Sequence, residues 1–306
     1  MKILTYTLKD GNDGKEYPGY LSEDGKHVIP FEMIGIDVSD VNDLIDRYSL
    51  EELLCEKAER EKQVSLKDAV PLEKVRLLSP VPRPKQDVIC LGINYAAHAE
   101  ESARYKKEAF EREKVYPIYF SKSVNEAVAD GMPVDSHRDM FENLDYEVEL
   151  AVVTGRTKKD TGKCCRVAKD RVSEHVFGYT ILNDMSAREI QTRHKQWYFG
   201  KGLDEFTPMG PWIVTADEIA YPPALEIKSY VNGQLRQNSR TDMLINDIDY
   251  IIWELTQGMT LLPGTIISTG TPAGVGMGMI PPEFLKPGDE VRCVIEGIGE
   301  ITNPIK

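Results

Sequence analysis

The chain has 306 residues, of which 41% are hydrophobic and 28% charged, a composition that suits one large globular domain or a large and a small one. Its 37 basic and 50 acidic side chains leave a net charge of −13, which argues against nucleic acid or an anionic membrane as the main partner. It contains no apolar run of ~18 residues or more, and its start, MKILTYTLKDGNDG, lacks the apolar core of a secretion signal, so a cytoplasmic protein is expected.

Residues 1–77 are predicted to form a small N-terminal α+β domain. Short alternating runs, Ile3-Leu4-Thr5-Tyr6 and His27-Val28-Ile29-Pro30, predict strands separated by Gly-containing turns. "DVNDLIDRYSLEELLCEKAEREK" then predicts helix, with Leu44, Ile45, Tyr48 and Leu54 near helical spacing. Pro80, Pro82 and Pro84 favour an extended chain and mark the junction to a second domain, 78–306. From there β-rich runs recur at 88–92, 117–121, 144–153, 176–182, 211–215, 225–231, 265–269 and 290–295. Clear helical patterns fall only at 95–114 and 247–258. Asn232-Gly233 predicts a type I′ hairpin turn. The fold class is therefore α+β and β-dominated, without alternating βαβ units. Cys55, Cys90, Cys164, Cys165 and Cys293 show no zinc spacing and are expected to be reduced thiols.

"LDYEVELAVV", 144–153, places Asp145, Glu147 and Glu149 at every second position of a predicted strand. Such residues share a face at a spacing of about 6.5–7 Å, while Tyr146, Val148 and Leu150 point the other way into a core. The strand alone is compatible with two environments. Its acids either face solvent and protect a sheet edge, or converge on a cation. "GYTILNDMSAREIQ", 178–191, ends a second predicted strand in Asn183-Asp184, which supplies a third candidate carboxylate. Ser186 is read as the following N-cap, with Glu189 as its capping-box partner. An oxygen-only ligand set suits Mg²⁺ or Mn²⁺, with Ca²⁺ as a substitute, and disfavours zinc.

The blocks "VICLGINYAAHAEE", "PIYFSK", "DYEVELAVVTGR", "GYTILNDMSAREIQ", "GKGLDEFTPMGPWIV", "LLPGTIISTGTPAGVG" and "LKPGDEVRCVIEGIGEITNPI" follow one another along the chain. In this order they resemble the fumarylacetoacetate hydrolase (FAH) family, over about residues 78–306. The resemblance implies a mixed β-roll catalytic domain, a homodimer, and a cation held by Glu147, Glu149 and Asp184. Asp145 is then an outer neighbour.

The resemblance also assigns His98 and Glu101 to water activation and Lys201 to stabilising an enolate. Lys122, Gln191 and Thr271 become substrate contacts. On a helix, His98 and Glu101 share one face, so the carboxylate can orient the imidazole. The charged stretch "EESARYKKEAFEREK" lacks a wide apolar stripe and is expected to act as a poorly anchored lid. "TGTPAGVG" lacks the Lys-Ser/Thr of a phosphate loop, so its glycines are read as letting the backbone approach a substrate. Trp197, Trp212 and Trp253 are assigned to core or interface, and Arg188 is left without a role. Ile93 stands where some family members have Arg, which removes one carboxylate anchor.

The implied activity is cleavage of a C–C bond in a small 2-oxo acid by acylpyruvate-type hydrolysis. Alternatives are oxaloacetate decarboxylation, isomerisation or dehydration, and a non-catalytic metabolite-binding role.

Overall fold

The computed structural model describes residues 1–11, 14–63, 65–106, 116–157 and 164–306. Residues 107–114 of the expected lid lie outside these. The chain opens with β1 (Lys2–Leu8), β2 (Tyr17–Leu21) and β3 (His27–Pro30), then α1 (Val41–Arg47) and α2 (Leu50–Arg60). Short strands β4 (Val70–Pro71) and β5 (Val75–Leu77) follow, then β6 (Val88–Gly92), α3 (Ala96–Lys106) and β7 (Ile118–Lys122). The middle of the chain carries β8 (Leu144–Asp145), β9 (Val148–Thr154), β10 (Val176–Asn183) and β11 (Ser186–Ala187). Next come α4 (Arg188–Arg193), α5 (Tyr198–Lys201) and β12 (Met209–Thr215). The last third holds β13 (Glu226–Val231), β14 (Gln234–Arg240), α6 (Ile248–Thr256), β15 (Ile266–Ser268), β16 (Glu290–Ile295) and β17 (Gly299–Pro304).

Three local signals in the sequence explain boundaries. Asn232 and Gly233 both have positive φ, 50° and 77°, as a type I′ turn between β13 and β14 requires. Asp247 caps α6 by accepting from the Tyr250 N–H at 2.7 Å. The single helical pattern after residue 40 splits into α1 and α2 at Ser49, which forms a reciprocal capping box with Glu52.

The strands form a large mixed sheet in the order β4-β3-β2-β1-β12-β10-β9-β15-β6-β7, with β5 also pairing with β1. β15 and β6 run parallel; the other named pairs are antiparallel. Strands of residues 1–77 thus continue this sheet, through the β1–β12 pairing. A second sheet, β14-β13-β16-β17, packs against β9 and β10. Sheet-on-sheet packing with few helices is the β-dominated α+β architecture the sequence predicts.

β9 is covered on both faces. Val148, Leu150 and Val152 join Ile227, Val291 and Ile295 of the second sheet in one apolar cluster. Ala151 and Val153 join Leu44, Ile45 and Leu53 of α1 and α2 in another. β9 lies between β10 and β15, so its acids cannot be guarding a sheet edge. None of the five cysteines is in a disulfide. Among the described residues no helix is long and apolar enough to cross a membrane.

Glu52 also ties α2 to the segment after β9, by accepting from Arg156 Nη2 at 2.8 Å. The Ser49 backbone N–H and then Arg156 hold its carboxyl down to about 2, from the ordinary 4.5. A depressed pKa stabilises the fold above the unfolded value, and this contribution is lost as pH falls from 4.5 toward 2. Glu52→Gln is expected to cost about 1 kcal/mol at pH 7, the modest figure reflecting a partly exposed pair. Melts of both proteins check this: the gap in Tm narrows as pH drops below 4.5.

Candidate metal centre and active site

Pairing between β9 and β10 assembles the acids. Glu149 stands opposite Leu182 and Val148 opposite Asn183, so Asp184 emerges beside Glu147. The Asp184 N–H donates to the Glu147 carbonyl at 2.8 Å. The Glu147 N–H donates to the Asn183 side chain at 3.0 Å. Glu147, Glu149 and Asp184 each bring a carboxylate oxygen within 4.8 Å of the others, and all three are buried.

Asp145 does not belong to that group. Tyr146, Val148 and Leu150 share one core as the alternation predicts, but Leu144–Asp145 pairs with β11 while β9 joins the main sheet only from Val148. Asp145 instead accepts from Arg188 Nε at 2.9 Å and from the N–H groups of Gly276 and Met277, at 2.7 and 3.0 Å. The same β8–β11 pairing overturns the expected Ser186 cap. Ser186 lies in β11 opposite Asp145 and donates its hydroxyl to the Asp184 carbonyl. α4 begins after Ala187 without a side-chain cap, and Glu189 pairs with Arg193.

Three cations are buried among these acids. Lys201, at the end of α5, donates to Glu147 Oε2 at 2.7 Å and to Asp184 Oδ2 at 2.6 Å. Lys122, at the end of β7, donates to Asp184 Oδ1 at 2.6 Å and to the carbonyls of Met185 and Lys201. Arg188 places Nη2 at 2.6 Å from Glu147 Oε1, a charge contact and not an aligned hydrogen bond. Lys122 therefore sits behind Asp184 and is absent from the cavity wall. Its three ammonium hydrogen bonds, to Asp184 and to the carbonyls of Met185 and Lys201, are all made within the protein.

Four carboxylates (Asp145, Glu147, Glu149, Asp184) thus meet three cations (Lys122, Arg188, Lys201), 3 − 4 = −1. The surplus falls on Glu149. Burial, then the Asp184 and Glu147 carboxylates, push its pKa well above the ordinary range. Glu147 behaves oppositely. Burial alone would raise it, but Lys201 and Arg188 outweigh burial and hold it well below the usual range. Lys201 is likewise raised, burial being overcome by Asp184 and Glu147. Glu149 Oε2 accepts from Ser268 and from the Gly270 N–H, at 2.5 and 2.9 Å. An all-oxygen set with one uncompensated charge fits a hard divalent cation.

A cavity of about 40 Å³ opens on this cluster. His98, Gln191, Lys201 and Thr271 line it with Glu147 and Glu149. Gln191 is held by Arg188 Nη1, and Thr271 donates to the Val148 carbonyl while accepting from Gln237. His98 Nδ1 lies 3.1 Å from Glu101 Oε2, and both residues are buried. Two contributors were missed. Arg188 would be expected on the solvent face of a short helix; it pairs instead with Asp145 and Glu147, far away in the chain, and no local signal in the sequence shows this. Trp197, assigned to core or interface, lines the cavity against Phe120 in a T-shaped contact. Ile93 also lines it, at φ 57°, a conformation unusual for a β-branched residue. The Gly-rich loop differs from expectation too: its amides bind Glu149, Glu101 and Asp145, the protein's own acids.

The charge balance predicts opposite signs for two neutralising substitutions in EDTA. Glu149→Gln removes the surplus charge and should leave stability equal or higher. Lys122→Met leaves Asp184 short of a buried partner and should cost about 3–5 kcal/mol. Urea unfolding of the two variants beside wild type measures both.

Residues 87–306 match the family described as fumarylacetoacetate (FAA) hydrolase C-terminal. Oxaloacetate tautomerase YisK of Bacillus subtilis (strain 168) is 43% identical over 234 residues, 76% of this chain and 74% of that protein. A fumarylacetoacetate hydrolase structure from psychrophilic Exiguobacterium antarcticum superposes with a TM-score of 0.81 at 35% identity, covering 100% of this chain and 99% of the other. A maleylpyruvate hydrolase from Sphingobium sp. SYK-6, in complex with manganese(II) ion and pyruvate, superposes with a TM-score of 0.75 at 29% identity, covering 100% and 98%. With a family match across most of its length and a cluster of three buried carboxylates at its centre, the chain belongs to the fumarylacetoacetate hydrolase family.

Proposed function

We propose that this protein is a divalent-cation-dependent enzyme that cleaves a C–C bond of a small 2-oxo acid, by acylpyruvate-type hydrolysis. The observation that carries the proposal is the cavity's composition: His98, which faces Glu101 behind it, and Glu147 and Glu149, which cluster with Asp184, all line it. Glu147, Glu149 and Asp184 are the residues that hold the cation, Mg²⁺ or Mn²⁺. When bound, that ion supplies Lewis-acid stabilisation of negative charge on the 2-oxo oxygen.

The chain's own groups do the rest. Gln191 orients the acid end of the substrate with its side-chain N–H groups, and Thr271, its hydroxyl proton held by the Val148 carbonyl, shapes the wall beside it. Lys201, whose ammonium is kept charged by Asp184 and Glu147, stabilises negative charge on the departing enolate. Lys122 fixes Asp184 and the Lys201 carbonyl in place. His98, oriented by Glu101, removes a proton from water as its oxygen attacks the distal carbonyl. The C–C bond then breaks, its electron pair passes to the enolate, and a proton returns to carbon. The products are a carboxylic acid and a 2-oxo acid; pyruvate, in the manganese complex of the Sphingobium hydrolase, is a product of this kind.

A second reaction is favoured by the relative at 43% identity, an oxaloacetate tautomerase. Tautomerisation uses the same enolate and a proton shuttle but no attack by water. Decarboxylation of oxaloacetate uses the enolate alone.

A panel of acetylpyruvate, fumarylpyruvate and oxaloacetate, each with Mg²⁺, Mn²⁺ or EDTA, separates the three. Hydrolysis predicts two acid products, loss of turnover in EDTA, and a rate about 10²–10⁴-fold lower for His98→Ala. Full turnover in EDTA, or no cleavage of either acylpyruvate, overturns the proposal. Enol–keto interconversion of oxaloacetate without cleavage of any substrate replaces it with tautomerisation.

A further inference from the structure

The segment 270–278 makes contacts that neither the cation site nor the proposed chemistry accounts for. Its backbone binds one acid from each of three elements. Gly270 N–H donates to Glu149 of β9, Gly274 N–H to Glu101 of α3 at 3.0 Å, and Gly276 N–H to Asp145 of β8.

Two of its glycines are required for space. Gly276 and Gly278 do not have positive φ, so backbone conformation does not call for glycine at either position. A Cβ on Gly276 would lie 2.2 Å from the Glu283 carbonyl oxygen and 2.8 Å from Asp145 Oδ1. A Cβ on Gly278 would lie 1.9, 2.0 and 2.2 Å from Oε1, Cδ and Cγ of Glu101. The side chain that Gly278 lacks is therefore the space in which the Glu101 carboxyl rests.

Asn94 and the buried Tyr95 hold the start of α3, but the helix itself buries little apolar surface. Its buried residues are His98, Ala99, Glu101 and Ser102, so Ala99 is the one apolar side chain it buries among the described residues. That area contributes little hydrophobic stabilisation. The Glu101 carboxylate accepts from Gly274 N–H and faces His98 Nδ1 at 3.1 Å, so it holds the helix and aims the imidazole together. Asp145 fixes the loop from the far side through Gly276 and Met277, and pairs with Arg188 beside Glu147.

We infer that Gly278 is a positioning residue: with Gly274 it forms a seat for Glu101 that docks α3 and aligns His98 over the cation cluster. The catalytic consequence rests on the function proposed above; the docking does not. The seat also separates the two halves of the site. Crowding it disturbs the His98–Glu101 pair and leaves Glu147, Glu149 and Asp184 with their partners.

The test is a cycle of Gly278→Ala, Glu101→Ala and the double variant. It is followed by hydrogen exchange of residues 96–106, Mn²⁺ affinity, and kcat and KM on whichever panel substrate is turned over. Gly278→Ala should speed exchange across 96–106 by about tenfold or more. It should lower kcat about 100-fold, and leave Mn²⁺ affinity within about twofold because the three carboxylates keep their contacts. In the Glu101→Ala background the same substitution should change nothing further, since the space is already vacated. A glycine needed only to fold the loop would be costly in both backgrounds, which overturns the inference. Wild-type exchange in Gly278→Ala overturns it as well. If wild type turns over no substrate, the proposed function fails while the exchange cycle still decides the seat.

Discussion

Asp184 accepts from two lysines, Lys122 and Lys201, and all three side chains are essentially excluded from solvent. Ions so placed are stable only if every partner is present and aligned. That requirement explains much of the surrounding fold. The β9–β10 pairing sets Asp184 beside Glu147, β7 delivers Lys122 from one side, and α5 delivers Lys201 from the other. Arg188 closes the network through Glu147 and Asp145. Among the described residues, three cations against four carboxylates leave one buried carboxyl, that of Glu149, without a cationic partner of its own, and burial beside Asp184 and Glu147 raises its pKa. That imbalance is what makes the cluster of three carboxylates suited to a cation.

The second organising feature is the loop 270–278, which reaches acids of three elements through its amides. It joins α3, whose own apolar burial is slight, to the rigid β9 centre. The cavity that opens between them is small, about 40 Å³. α3 rests on the loop mainly through polar contacts, whereas Asp184 is locked between two buried lysines. The rigid half suits charge stabilisation and the loosely held half suits admission of substrate and water.

Local signals made much of this legible in the sequence. Strand positions, the Asn232-Gly233 turn and α6 follow from alternation, turn chemistry and capping. Glu147, Glu149 and Asp184 were legible as candidates from their places on two predicted strands, but the strand alone left two environments open and the resemblance chose the set. What failed was whatever depends on register between distant segments. Nothing local shows that β8 leaves the main sheet at Tyr146, which detaches Asp145 from the other acids and turns Ser186 from a cap into a strand residue. Lys122 and Lys201 look alike in sequence, as lysines after aromatic residues. Only the tertiary arrangement puts one behind Asp184 and the other at the cavity. Arg188 and the glycines at 276 and 278 were unreadable for the same reason: their partners lie far away in the chain.

The central claim is that Glu147, Glu149 and Asp184 close around one divalent cation. Anomalous diffraction from crystals grown with Mn²⁺ tests it most directly. The account predicts a single anomalous peak per chain, at coordination distance of about 2.0–2.3 Å from an oxygen of each of the three carboxylates. A peak elsewhere, or an empty cluster in crystals of protein that binds Mn²⁺ stoichiometrically in solution, would contradict it.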